Sequence, residues 1–115
     1  MTFTTLHIAL TALTVALLTL AVAVWRLRRP AWRQALVVAL LSGAAVFQWR
    51  LSANLPQLND DGLPGFSAND WAAPVVTYIV LSCYADLRPP PDQARYKQVR
   101  ALATVVALAV NVITI

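Results

Sequence analysis

From Phe3 to Trp25 the only titratable side chain is His7, and a run of that length exceeds the roughly 20 residues an α-helix needs to cross a bilayer. This run constrains the whole chain, because a helix without a charged residue over that length must be surrounded largely by something other than water. A secretory signal peptide is the competing reading. It fits poorly: no Lys or Arg precedes the run, the run is too long for a signal core, and Trp25-Arg26-Leu27-Arg28-Arg29 is no signal-peptidase site. The expected reading is a retained transmembrane helix.

Three further apolar segments follow, giving expected spans of about 3–25, 31–49, 71–87 and 99–115. Arg26, Arg28, Arg29 and Arg33 surround Pro30, so the first two helices are expected to form a tight hairpin with a basic link. The connection over 51–69 turns polar, with Pro and Gly, and Asn59-Asp60-Asp61-Gly62 and Pro64-Gly65 read as turns. The third span has Asn69 or Asp70 as an expected cap, with Pro74 in the first turn, where its missing N–H costs little. Arg88 and the prolines at 89–91 stop it. Asp92 is then placed to cap a last helix, whose first turns carry Arg95, Lys97 and Arg100 before an uncharged run from Ala101 to Ile115.

Composition agrees with this segmentation. Charged residues make up 12% of the chain and hydrophobic ones 59%, whereas a soluble domain carries about 25% charged residues. Too little polar surface exists to coat a water-soluble globule. Trp25, Trp32, Trp49 and Trp71 all fall at expected span ends, where amphipathic rings anchor at the membrane interface. Orientation follows from the basic residues of the links. Arg26, Arg28, Arg29 and Arg33 in the first, and Arg88, Arg95, Lys97 and Arg100 around the third, contrast with Arg50 against Asp60, Asp61 and Asp70 around the second. The expected fold is therefore all-α: one four-helix transmembrane domain over residues 1–115, built as two hairpins, with both termini on the non-cytoplasmic side. The expected location is the cytoplasmic membrane of a bacterium, whether encoded by the host or by a phage.

Polar residues inside the spans are few. Thr4, His7, Thr11 and Thr14 recur at intervals of three and four, which puts them on one stripe of the first helix. Such a stripe lines a pore or meets another helix, although threonines in apolar helices also bond their own preceding carbonyls. Ala35, Ala39 and Gly43 are spaced by four, the pattern that lets two helices approach closely; whether the partner helix belongs to this chain or to another copy stays open. Thr104, Ala107, Asn111 and Thr114 form a stripe on the last helix, and Asn111 is expected to bond across to another helix. Thr77, Tyr78, Ser82, Cys83 and Tyr84 look too scattered to define a site.

Several function classes lose support on these grounds. A single cysteine, Cys83, allows no intramolecular disulfide and no multi-cysteine metal site. Asn59, Asp60 and Asp61 lack the spacing of a calcium loop. The basic residues sit beside apolar runs without aromatic platforms, which argues for membrane topology over nucleic-acid binding. No phosphate loop, catalytic grouping or cofactor motif is evident, so neither an enzyme nor a cofactor is expected. All five acids lie outside or at the edge of the apolar runs, so an ion-coupled transporter of the small multidrug type, matched only in length and number of spans, would lack its coupling carboxylate.

Two readings remain. One is a self-associating pore or membrane-permeabilising protein of the holin kind; the other is an accessory or scaffolding subunit of a larger membrane complex. The expected partners are the lipid bilayer and either further copies of the chain or that complex.

Overall fold

The structure is a computed structural model that describes residues 3–27, 32–54, 68–90 and 92–114, the side chains of 68–70 and 114 excepted. Four helices account for nearly all of them: α1 (Thr5–Arg26), α2 (Trp32–Ser52), α3 (Ala68–Leu87) and α4 (Gln93–Thr114). The chain is all-helical among the described residues. Three helices are long and apolar enough to cross a membrane: α1, α2 and the Gln93–Ile113 stretch of α4. In α3 the apolar part is shorter, Trp71–Leu87. Arg28, Arg29, Pro30 and the turns at 59–62 and 64–65 lie outside the described residues.

Local chemistry explains the helix ends. Thr4 is extended at φ −69°, ψ 153°, and its Oγ1 accepts from the His7 N–H at 3.1 Å, which caps α1. Asp92 caps α4 as its position predicts, its Oδ1 accepting from the Arg95 N–H at 3.1 Å and its carbonyl from Tyr96. The third helix departs from expectation. It begins at Ala68, so Asn69 and Asp70 stand inside its first turn rather than before it, and Pro74 is interior. A proline there removes one main-chain bond near the helix start, where the fewest turns depend on it. The Thr77 hydroxyl adds a bond to the Ala73 carbonyl at 3.0 Å beside that gap.

The helices form a ring. α1 packs along α2 and α4, α3 packs along α2 and α4, and the α2–α4 diagonal barely touches. Side-chain bonds fix neighbouring helices antiparallel: Phe3 meets Asn54 at one end, while Arg26 meets Arg95 and Gln98 at the other. The bundle measures 43 × 22 × 21 Å, close to the 40–45 Å of a bilayer with its headgroups.

Its interior is packed in two layers. One joins Ala23, Val38, Leu81, Val99 and Ala103 around Tyr96; the other joins Ala12, Val15, Val46, Ala73, Ala107 and Val110. Small and β-branched residues dominate both, which lets the helix axes come close. The large residues face outward instead, among them Leu6, Leu13, Leu17, Leu40, Val105 and Ile113. Such an inverted distribution fits lipid as the surrounding solvent, since a soluble bundle would bury its leucines.

Candidate functional site

A close helix contact lies between α1 and α2. A methyl group in place of the Gly43 hydrogen would sit 2.9 Å from the Ala16 Cβ, closer than such atoms pack, and a tight 3.2 Å from the Ala12 carbonyl oxygen. Ala35 and Ala39 are buried on the same side of α2. At Gly43 the small-residue face meets a helix of the same chain. Ser42, beside it, is also buried and donates to the Val38 carbonyl at 2.8 Å.

The polar stripe of α1 divides. Thr11 is 2% exposed and points into the bundle, whereas Thr4, His7 and Thr14 face outward. All four line an open groove of about 390 Å³, together with Leu6 and Leu10 among the described residues. Thr14 donates its hydroxyl to the Leu10 carbonyl at 2.8 Å, so its own donor is satisfied inside the helix while its oxygen borders the groove. The Phe3 and His7 rings lie 5.4 Å apart at the groove's rim. From Thr4 to Thr14 the groove runs about 15 Å along the helix axis. One helical step further, Leu18 continues the same stripe as an exposed apolar residue.

Asn111 is fully buried on α4, and its Nδ2 donates to the Ala107 carbonyl of its own helix at 2.7 Å. Its Oδ1 has no hydrogen-bond partner among the described residues, so the bond expected to another helix is replaced by an intrahelical one. Thr104 likewise bonds its own helix, at the Arg100 carbonyl.

Three of the four tryptophans stand exposed near helix ends, where interface anchors are expected. Trp25 (72% exposed), Trp32 and Trp71 project from helix ends, and Arg26 and Arg33 stack over the Trp25 and Trp32 rings at 5.1 and 5.4 Å. Trp49 is instead half-buried against the second core layer. Trp32 and Trp49 on α2 lie about 26 Å apart along the axis, near the thickness of a bilayer's hydrocarbon core.

Arg26, Arg33, Arg88, Arg95, Lys97 and Arg100 all gather at the end of the bundle where α1 and α3 finish. Arg95 bonds the Arg26 carbonyl at 2.8 Å and Arg26 bonds the Gln98 side chain, so the α1–α4 seam is closed by polar contacts there. Two residues that looked scattered in the sequence meet at this end as well: the Arg100 guanidinium lies 4.5 Å from the Tyr78 ring and donates to the Ser82 Oγ at 3.2 Å. Their spacing of four on α3 was the available signal, and it points nowhere until α4 is set beside it. Buried Tyr96 ties the same helices together, its hydroxyl donating to the Leu81 carbonyl at 2.5 Å.

At the opposite end Arg50 is buried, with its guanidinium 5.5 Å from the Phe3 ring. The Asn54 side-chain amide grips the Phe3 backbone in both directions, accepting from its N–H at 3.0 Å and donating to its carbonyl at 2.7 Å. Among the described residues no group of three His, Cys, Asp or Glu side chains is placed to hold a metal ion, and Cys83 is exposed. The chain matches no protein-family model, no curated protein and no solved structure, so a functional reading rests on its own residues.

Proposed function

We propose that this is a non-catalytic, multi-pass membrane protein that acts by association, copies of the chain packing to form a pore or to permeabilise the membrane in the manner of a holin. In this reading all four helices cross the bilayer as two hairpins, both termini lie outside the cytoplasm, and the arginine-rich end faces the cytoplasm by the positive-inside rule. The membrane is a bacterial cytoplasmic membrane, and the gene belongs to the host or to a phage.

One observation carries the proposal: the groove formed by Thr4, His7, Thr11 and Thr14 opens on the outside of the bundle rather than within it. The interior is filled by the two core layers, so a water path has to run between copies, along this outward face. Such a path is polar from the rim to Thr14 and then meets Leu18, an apolar constriction of the kind that opens by wetting. The small-residue seam at Gly43 holds each copy together and takes no part in joining copies.

The alternative, an accessory subunit of a larger membrane complex, draws on a different observation. A closed bundle whose closest-packing face is already occupied internally is a finished unit, and the α1 groove would then receive a foreign helix. Leakage from vesicles holding only the purified chain separates the two. A pore releases an entrapped dye without any other protein, and release should fall when His7→Leu and Thr14→Val are combined. An accessory subunit leaves the vesicles tight.

A further inference from the structure

We propose that the cytoplasmic end of the α3–α4 hairpin holds the headgroup phosphate of an anionic phospholipid, bound between Lys97 and Arg100. The inference rests on the chain lying in a bilayer and not on the pore reading.

Arg100 is in an unusual position for a cation. It stands seven residues into α4, about 10 Å beyond the helix start, and half-buried. At that depth a guanidinium needs a countercharge or a way to the headgroups. Its terminal nitrogen reaches Ser82 and its plane lies on Tyr78, but its Nε is buried without a hydrogen-bond partner. The one ion pair among the described residues is Arg95 with Asp92, at 3.5 Å. Among the described residues, then, no carboxylate lies within ion-pair distance of Arg100.

The space beside it suits the missing charge. A cavity of about 260 Å³ lies between the end of α3 and the start of α4, lined by Lys97, Arg100, Tyr96, Gln93 and the Asp86 and Pro89 side chains among others. Asp86 subtracts one charge from the two cations, and the cavity keeps a net positive one. The Tyr96 hydroxyl is already committed to Leu81, which leaves the cations and the Gln93 amide as the available donors. A phosphodiester fits this set better than a carboxylate partner from another helix, because it brings its own negative charge at the level of the headgroups. The acyl chains would then run along the outward side of α3, where Val75, Tyr78 and Ile79 are exposed.

The test uses the full chain in nanodiscs of phosphatidylcholine with and without phosphatidylglycerol, released into the mass spectrometer to count retained lipids. Phosphatidylglycerol should be retained over phosphatidylcholine, and Arg100→Gln and Lys97→Gln should each weaken that retention roughly fivefold. Arg33→Gln removes the same charge from an exposed residue at the same end and should leave retention unchanged. Because Arg100→Gln also loses packing on Tyr78, exposed Lys97→Gln carries the test if the former does not fold. Equal losses in all three variants would overturn the site in favour of a diffuse basic surface. Displacement of the lipid by inorganic phosphate would overturn it in favour of a free-anion site, and equal retention of both lipids would remove it.

Discussion

Gly43 on α2 stands against Ala16 on α1 with no room for a methyl group between them. Replacing Gly43 by Ala gains up to about 1 kcal/mol of helix propensity but forces overpacking that costs about 1–3 kcal/mol. The neighbouring atoms are a Cβ and a main-chain oxygen, which cannot swing aside, so overpacking wins. Gly43→Ala should lower the thermal unfolding temperature in detergent, Gly43→Leu should prevent hairpin closure, and adding Ala16→Gly to Gly43→Ala should recover most of the loss. Unchanged unfolding in Gly43→Leu would contradict the α1–α2 seam.

Asn54 fastens the other end of that hairpin to Phe3 by two hydrogen bonds. Asn54→Ala should cost about 1–2 kcal/mol and release the Phe3 amide to fast hydrogen exchange. An equally protected Phe3 amide in the variant would mean that this contact does not hold the amino-terminal end of α1.

Asn111 presents a buried Oδ1 that no described residue satisfies. Replacing both halves of a poorly satisfied polar group by an apolar side chain of similar size is near neutral or stabilising. Asn111→Leu should therefore keep or raise the unfolding temperature. A loss of more than about 2 kcal/mol would show that the amide bonds across the bundle after all.

The α1 stripe yields a prediction of opposite signs. His7→Leu with Thr14→Val should dry the groove and reduce permeabilisation, while Leu18→Ser should wet the constriction and increase it. Thr14 donates only to its own helix, so Thr14→Val should barely alter stability, and a change in leakage is then assignable to the path rather than to folding.

Much of this architecture is legible in the sequence because long, charge-poor runs have few solutions other than helices. Four charge-poor runs and tryptophans at their ends mark four helices, and the spacing of Ala35, Ala39 and Gly43 marks a close-packing face. What lies across from a face is not written in its spacing: that Gly43 meets Ala16 follows only from the ring of helices. The same holds for Arg100, whose contacts Tyr78 and Ser82 come from another helix. Thr11 turns inward while Thr4, His7 and Thr14 turn outward, because a polar stripe along one helix straddles the edge of the face that α1 packs against its neighbours. Pro74 reads as a first-turn residue, but the helix starts at Ala68, so the proline falls in the second turn and leaves one main-chain bond unmade there.

The central claim is that copies of this bundle open a path across the membrane. Its most direct test is inducible expression in a bacterium with continuous recording of membrane potential. Abrupt depolarisation is expected at a reproducible time after the protein reaches the membrane, delayed or abolished by His7→Leu with Thr14→Val. A steady potential with the protein abundant in the membrane would contradict it.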